Sequence, residues 1–266
     1  VVMPDGRTLQ VASVHHYRDQ WARAFDITYE DASGSQQYVH QTTYGMSERL
    51  LGAIVASHGD DRGLVMPPSV APVQVVVIPI ISKGDSSDVI SESERITSEL
   101  KAAGIRVRLD SRDIRPGQKY YDWEIKGVPL RMEIGPRDLA NNSVMCVRRT
   151  GGKQSHSMDN LVDTVRSELD IVGEEMKQQS SDHFNSRIKT LPAFMVDGTD
   201  LIFDQAIEKG MVYEMAFDGN DAEAEMIEKG TDLSFLGDST EAYKKKVPCA
   251  ITGKPTTRRV FLAKPY

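Results

Sequence analysis

The feature that most constrains the fold is an almost wholly apolar run, VQVVVIPI, at residues 73–80. Its residues are largely β-branched, and no polar residue alternates with them. This pattern is typical of a strand that is buried on both faces, as occurs in sheets covered by helices on both sides. The run therefore predicts a buried strand inside an α/β unit.

The segments after this strand alternate between helical and strand patterns. A polar loop around Gly84 and Asp85 precedes an amphipathic helix at about 88–103, and IRVRLD follows as a second strand. A short helix over 117–126, strands in PLRMEIG and SVMCVRR, and a long helix over about 158–188 complete the series. Strands that alternate with helices predict a mixed α/β sheet flanked by helices.

Two smaller parts are predicted on either side of this unit. Residues 1–70 are interpreted as an α+β part with an antiparallel sheet, in which a helix starts near Ser47 and stops at Gly59. Residues 189–266 are interpreted as a small acidic α+β part, in which FDQAIEKG ends a helix capped by Gly210. The predicted fold class is α/β, with domains at 1–70, 71–188 and 189–266.

Charge and composition limit the classes of binding partner that this chain can have. The formal charge of −7 argues against a globally basic nucleic-acid binder, and no DNA partner is expected. Residues 106–153 nevertheless carry eleven Lys or Arg against six Asp or Glu, and a basic segment in an acidic protein indicates an RNA surface. No apolar run approaches the ~20 residues of a membrane helix, so no membrane partner is expected. Two cysteines, Cys146 and Cys249, fit a reducing cytoplasm.

Arg49 lies on the first turn of the predicted helix after Ser47. The N-terminus of a helix is positive, so a cation there is unfavourable unless something anionic compensates. A nucleotide phosphate would do so, because helix starts and arginine both favour phosphate. The alternative is that Arg49 extends into solvent or pairs with a nearby carboxylate. The spacing of residues in this helix does not decide between a phosphate ligand and these alternatives.

Two stretches resemble a known family. GMSERLLGA, followed by HGDDRGLVMPPSVAPVQVVVIPI, resembles the third signature motif of class II aminoacyl-tRNA synthetases in its prolyl form. SRDIRPGQKYYDWEIKGVPLRMEIGPRD resembles the anticodon site of prolyl-tRNA synthetases, and the likeness, to the archaeal and eukaryotic group, extends through almost the whole chain. It implies a catalytic part at 1–70, an anticodon-binding domain at 71–188 and a zinc-binding-like domain at 189–266. Because the first two signature motifs would precede Val1, we expect a C-terminal part of a longer enzyme.

The resemblance implies a catalytic site near the start of the chain. The residues implied to contact ATP are Gln10, Ser13, Ser47 and Arg49, and His15 is implied to contact L-proline. Strand alternation would place Gln10 on the face opposite Ser13 and His15, so a bulge or twist is expected. ATP with Mg²⁺ is the expected cofactor. Catalysis of nucleotidyl transfer is mostly positioning and neutralisation of the phosphate charge by arginine and Mg²⁺. The intact enzyme is expected to be a homodimer, and this chain alone is expected to be inactive.

The resemblance also implies an anticodon site for tRNA(Pro). The implied residues are Tyr120, Glu124, Arg131, Arg137 and Asp138. Proline anticodons share two adjacent guanines. A carboxylate can accept hydrogen bonds from guanine N1 and N2, an arginine can donate to O6 and N7, and Tyr120 can stack on an unpaired base. The alternative is a Glu–Arg salt bridge beside a packed aromatic cluster, which we prefer for Trp123 only.

The last part of the chain departs from the family. Its relatives often hold a structural zinc on four cysteines, but here Asp218 and Glu223 stand at the first pair and only Cys249 remains of the second. We therefore expect no structural zinc.

Tyr266 matches a family tyrosine whose carboxylate folds back towards the catalytic domain; the alternative is a frayed terminus. The expected function is that of a proline–tRNA ligase, and the alternative is a non-catalytic RNA-binding relative.

Overall fold

The computed structural model describes residues 1–81, 87–198 and 200–266, so the loop predicted around Gly84 and Asp85 lies outside the described residues. The chain forms two compact units. One combines Val1–Ala53 with Arg187–Tyr266 and is called the discontinuous unit; the other, Ile54–Ser186, is called the central unit. The three-domain division at 1–70, 71–188 and 189–266 stays a prediction.

The elements follow one another in chain order. The first are β1 (Ala12–Arg18), α1 (Gln20–Ala24), β2 (Thr28–Glu30), β3 (Gln36–Tyr38), β4 (Gln41–Met46) and α2 (Arg49–His58). Next come β5 (Val75–Pro79), α3 (Ser87–Ala102), β6 (Val107–Leu109), α4 (Pro116–Ile125), β7 (Leu130–Ile134), α5 (Pro136–Ala140), β8 (Ser143–Arg148), β9 (Lys153–Ser157) and α6 (Leu161–Arg187). The last are β10 (Ile188–Thr190), β11 (Phe194–Asp197), β12 (Asp200–Phe203), β13 (Val212–Ala216), α7 (Asp221–Thr231), β14 (Ser234–Asp238), β15 (Val247–Pro248), β16 (Pro255–Thr256) and β17 (Arg259–Ala263).

A mixed sheet with strand order β6-β5-β7-β8-β9 carries the core of the central unit. β5 runs parallel to β6 and β7, and β8 and β9 continue the sheet antiparallel. Every residue of β5 is buried, as its apolar run predicts. One face packs against α3 and α6. On the other, Val76 and Ile78 pack with Tyr120 and Trp123 of α4, which places α4 beside the sheet. The predicted mixed α/β fold is confirmed.

Two elements of the central unit were not predicted. α5 occupies the segment around Arg137 and Asp138. β9 has the sequence KQSHS and is mostly exposed. It is held by its backbone pairing with β8 at the edge of the sheet, so its side chains carry no apolar pattern from which a strand could be predicted.

The discontinuous unit contains a sheet with strand order β10-β13-β17-β14. β10 pairs in parallel with β13, while β17 is antiparallel to both β13 and β14. α7 contributes Ile227 to the core, and its first turn is closed by a capping box between Asn220 and Glu223. Met215, Phe217 and Val260 belong to the same core.

The prediction of a helix that ends at Gly210 is wrong. β12 ends at Phe203, and the residues from there to Gly210 form bends, extended segments and a turn. Gly210 adopts φ +75° in this turn. It lies against Gly6 (φ +81°), where an added Cβ would come within 1.9 Å of the Gly210 carbonyl oxygen. The glycine therefore serves a close approach between two distant segments of backbone, and not a helix cap.

β1 and β4 form an antiparallel pair at the start of the discontinuous unit. α1 and the β2–β3 hairpin lie between them in the chain. In α1 the buried residue is Ala22, whereas Trp21 and Phe25, which follows the helix, are exposed. α2 begins at Arg49 and ends at His58, just before Gly59. No helix among the described residues combines the length and apolar character needed to cross a membrane.

Candidate functional sites

Hydrogen bonds connect three of the residues implied to bind ATP. The Gln10 side-chain amide donates to Ser13 Oγ at 2.7 Å, and Arg49 Nη1 donates to the Gln10 carbonyl at 3.3 Å. Gln10 precedes β1, so strand alternation does not separate it from Ser13. The bulge expected between them is absent: the register of the β1–β4 pair shifts between His16 and Arg18 instead.

Ser47 and Arg49 lie at the start of α2. Ser47 accepts the Leu50 N–H through its carbonyl at 3.1 Å, and the Arg49 N–H is 3.4 Å from Ser47 Oγ. Within the described residues, no carboxylate forms an ion pair with Arg49, which is exposed. A protein carboxylate therefore does not compensate this cation at the positive end of the helix, and an anionic ligand can fill that role.

His15 lies two residues beyond Ser13 on β1, so both side chains project from the same face of the strand. Its partner across the β1–β4 pair is Thr43, and its ring stacks on Tyr17 with centroids 5.4 Å apart. The structure thus brings His15 to the strand face that carries Ser13. This arrangement leaves the imidazole exposed and free to meet a small ligand.

A second candidate site is a cleft of about 400 Å³ in the central unit. Tyr120 and Glu124 of α4 and Arg131 of β7 line it, so the structure brings together three of the five residues predicted to read an anticodon. Among the charged residues of the lining, Glu124 faces five cations: Arg62, Arg131, Arg148, Arg149 and Lys153. Aromatic rings combined with an excess of cations suit an unpaired, negatively charged nucleotide.

Arg131 is held by two interactions at the side of this cleft. Its guanidinium lies 4.0 Å above the centre of the Tyr120 ring, and its Nε donates to Glu133 Oε1 at 3.0 Å. Lys153 donates to the other oxygen of Glu133, also at 3.0 Å. Burial raises the pKa of Tyr120 to about 12, which keeps the phenol neutral. Because Arg131 covers one face of Tyr120, a base that stacks here would meet the guanidinium plane or the opposite face of the ring.

Glu124 and Arg131 do not form the salt bridge that was the alternative to RNA binding. Glu124 Oε1 accepts from Arg62 Nη1 at 2.8 Å, whereas Arg131 pairs with Glu133. Trp123 is half-buried and donates from Nε1 to Asp110 at 2.7 Å, in line with the packing role preferred for it. The carboxylate and the guanidinium on the cleft wall are thus kept apart by different partners.

Arg137 and Asp138 are not part of the cleft lining. Asp138 Oδ2 accepts the Gly135 N–H at 2.8 Å and so closes the first turn of α5. Arg137 is exposed on the same short helix. Their assignment to the anticodon stays a prediction, and a contact with RNA would lie outside the cleft.

Four cationic residues of the cleft were missed in the sequence: Arg62, Arg148, Arg149 and Lys153. Three of them belong to segment 106–153, whose excess of Lys and Arg was the feature of the sequence that could have indicated them. Arg149 is buried and donates to the two oxygens of Asp60 at 2.5 and 2.9 Å. The hydrogen bond from Arg149 holds the pKa of Asp60 well below its usual range, so Asp60 stays ionised.

Tyr266 is fixed to the opposite end of the chain. Its N–H donates to the Thr8 carbonyl at 3.0 Å, and its phenol donates to Asp5 Oδ2 at 2.8 Å. Thr8 also forms an isolated parallel bridge with Pro265. The residue is therefore anchored and not frayed. The role of its carboxylate stays a prediction.

The residues at the positions where the resemblance implies zinc ligands have other contacts. Cys249 is buried, and its sulfur accepts the Asp218 N–H at 3.2 Å. Burial alone would raise the pKa of this thiol, but hydrogen bonds from Thr252 and from backbone N–H groups outweigh it and lower the pKa. Glu223 is engaged in the capping box of α7. Among the described residues no group of three or more His, Cys, Asp or Glu is placed to hold a metal ion.

We predict that chelation leaves the stability of this region unchanged. A structural zinc supplies an apparent ~10–16 kcal/mol, so a domain that depends on zinc unfolds when the metal is removed. Treating the purified chain with a chelator should leave its melting temperature unaltered, and metal analysis should give well under one equivalent of zinc. Stoichiometric zinc that disappears in a Cys249→Ser variant would contradict this prediction.

Comparisons with known proteins identify the kind of domain and the family that this chain resembles. The model of a family described as "Anticodon binding domain" matches residues 74–168, which include α4 and β7. Proline–tRNA ligases from Thermococcus kodakarensis and Methanocorpusculum labreanum are 43% and 44% identical over 100% and 96% of this chain, which covers 55% and 52% of theirs. A solved structure of Giardia lamblia prolyl-tRNA synthetase in complex with prolyl-adenylate superposes with a TM-score of 0.88, at 29% identity, over all of this chain and 57% of that one.

The match over residues 74–168 shows that the chain contains an anticodon-binding domain, and its relatives belong to the aminoacyl-tRNA synthetases. More specifically, the chain belongs to the proline–tRNA ligase family. It spans about half the length of the curated relatives it matches.

Proposed function

We propose that this chain acts as part of a proline–tRNA ligase, which activates L-proline with ATP and transfers it to tRNA(Pro) in cytoplasmic translation. The observation that carries the proposal is the cleft in which Tyr120, Glu124 and Arg131 converge, within the segment that matches an anticodon-binding domain. The network of Gln10, Ser13 and Arg49 supports a nucleotide site on the same chain.

In the proposed reaction, a carboxylate oxygen of proline attacks the α-phosphate of ATP, and pyrophosphate leaves. The product is prolyl-adenylate, the compound in complex with the Giardia lamblia synthetase. A terminal ribose hydroxyl of the tRNA then attacks the prolyl carbonyl, and AMP leaves. No net redox change occurs, and little acid–base work is required. Binding, orientation and charge neutralisation therefore account for most of the catalysis.

We assign a role in the proposed activation of proline to each of four residues. Arg49 would neutralise the charge that builds on the α-phosphate, since it is a cation at a helix start and no carboxylate among the described residues pairs with it. Gln10 and Ser13 would orient the nucleotide, and His15 would contact proline from the same strand face as Ser13. Mg²⁺ bound to the phosphates would add further charge neutralisation. The described residues form no metal-binding group, so no ligand of this ion is assigned to the chain.

Two further properties rest on the resemblance to the family alone. We propose a homodimer for the intact enzyme and a cytoplasmic location. Both agree with an ATP-dependent enzyme that acts on tRNA, and sedimentation of the full-length protein would test the first directly.

Replacing Arg131 with alanine tests the proposed anticodon site. We expect the variant to lose about 1–3 kcal/mol of discrimination in favour of the anticodon guanines, because Arg131 supplies donors to one guanine edge. Binding of the chain to RNA stem-loops, with and without those guanines, measures this loss. Arg131→Lys should lose most of it as well, since an ammonium group cannot donate in a planar fork.

The matched control is Arg95→Ala. Arg95 is an exposed, ion-paired arginine on α3 that does not line the cleft. Its removal should leave discrimination unchanged. Equal weakening of every stem-loop by Arg131→Ala would show that this residue only contacts phosphate, and it would refute the proposed base recognition.

A further inference from the structure

A turn before the sheet supplies the partner of Glu124. Asp60 and Gly63 exchange two backbone hydrogen bonds of 3.0 Å each, and Arg62 lies between them. Arg62 Nη1 donates to Glu124 Oε1 at 2.8 Å, and Arg62 Nη2 donates to Asp60 Oδ2 at 3.3 Å. A single guanidinium therefore connects the turn to the carboxylate on the cleft wall.

The turn that carries Arg62 is itself fixed. The Leu64 N–H donates to the Ile125 carbonyl at 3.0 Å, directly after Glu124 in the chain. Gly63 adopts φ +128°, and a Cβ there would lie 2.5 Å from the Ile125 Cα, so the two backbones are in close contact. Asp60 is held by the buried Arg149. Arg62 thus projects from a turn anchored at both ends.

Glu124 is held from two directions by this assembly. Arg62 binds its carboxylate, while Arg149 Nε donates to its backbone carbonyl at 3.2 Å. The charges alternate along the series Arg149, Asp60, Arg62 and Glu124. Among the described residues, no hydrogen bond engages Glu124 Oε2. One oxygen is therefore fixed, and the other is left to accept from a ligand.

We infer that Arg62 is a positioning residue that presents the Glu124 carboxylate to an anticodon guanine. This inference rests on the proposed anticodon site. It adds Arg62, which lies outside the stretch SRDIRPGQKYYDWEIKGVPLRMEIGPRD that resembles the anticodon site of the family. Four other cations line the same cleft and would compete for a carboxylate that is free to rotate. Arg62 keeps Glu124 in one orientation, so that Oε2 accepts from the N–H groups on the Watson–Crick edge of the base.

Base analogues separate the contribution of Glu124 from that of Arg131. Inosine lacks the N2 amino group of guanine, so it weakens recognition by a carboxylate. 7-Deazaguanine lacks the N7 acceptor, so it weakens recognition by an arginine. The probe is an RNA stem-loop that carries the proline anticodon, with one of its two guanines replaced by either analogue. Binding to the whole chain is measured at fixed salt, because phosphate contacts make affinity salt-dependent.

For the unsubstituted chain, we expect about a tenfold loss of affinity for inosine at the guanine that Glu124 reads. In Arg62→Gln this penalty should fall to about twofold or less, while the 7-deazaguanine penalty stays as it was. Arg62→Lys should restore part of the inosine penalty, since it keeps a cationic donor. Arg62 is 57% exposed, so these variants are expected to fold. Arg95→Gln is the control, being similarly exposed at 53% and ion-paired outside the cleft.

The outcomes separate the inference from the function on which it rests. If the unsubstituted chain does not distinguish guanine from either analogue, the proposed anticodon site fails. If it does distinguish them and Arg62→Gln keeps the full inosine penalty, Arg62 does not position Glu124. Tighter binding of the guanine stem-loop by Arg62→Gln would also overturn the inference, because Arg62 would then block the carboxylate. Equal loss with every stem-loop would show a phosphate contact or a purely structural role.

Discussion

Replacing Glu168 with alanine is expected to lower the free energy of unfolding of the central unit by about 3–5 kcal/mol. Glu168 is buried on α6, where one carboxylate oxygen accepts from Arg148 at 2.8 Å and the other bonds to His156 Nε2 at 2.8 Å. Arg148 belongs to β8 and His156 to β9, so one side chain joins the helix to both strands. Its loss leaves a partly buried guanidinium that keeps a longer ion pair to Glu175, at 3.5 Å, and a hydrogen bond from Nε to the Gly151 carbonyl, at 3.2 Å.

The measurement is urea unfolding followed by the fluorescence of Trp123 in a Trp21→Phe background, since the chain has two tryptophans. Glu174→Ala is the matched control on the same helix. It breaks a solvent-exposed pair with Lys177 at 3.6 Å, which should cost about 0–1 kcal/mol. If the two substitutions had equal effects, the buried network would not stabilise this unit.

Replacing Arg49 with alanine is expected to reduce proline-dependent pyrophosphate exchange by about 10²–10³-fold in a protein that carries the complete catalytic domain. The removed guanidinium would no longer meet the charge that develops on the α-phosphate. Stability should change little, because Arg49 is exposed and a cation at a helix N-terminus contributes nothing favourable. The expected result is a loss of activity without a loss of folding.

Three controls make this prediction specific. Arg95→Ala should keep full exchange activity, and the melting temperature of Arg49→Ala should equal that of the unsubstituted protein. Binding of the anticodon stem-loop should also be unchanged, since Arg49 lies outside the cleft. Exchange within about threefold of the unsubstituted rate would mean that Arg49 only extends into solvent, and the nucleotide site would have to be reassigned.

The sequence by itself determined the architecture of the central unit. The apolar run at 73–80 could only be satisfied by burial on both faces, and the alternation of strand and helix patterns required a covered mixed sheet. It also indicated Tyr120, Glu124 and Arg131, which the structure brings to one cleft. These results follow from local periodicity and from a resemblance carried by contiguous residues.

Only the tertiary structure decided which partners these residues have. Glu124 pairs with Arg62, which is 62 positions away, and Arg149 pairs with Asp60, which is 89 away. The turn at Gly210 is set by its contact with Gly6, although the local sequence favoured a helix. β9 exists because β8 offers it hydrogen bonds, not because its side chains are apolar. Such contacts depend on which distant backbones meet when the chain folds, and no local pattern of residues specifies them.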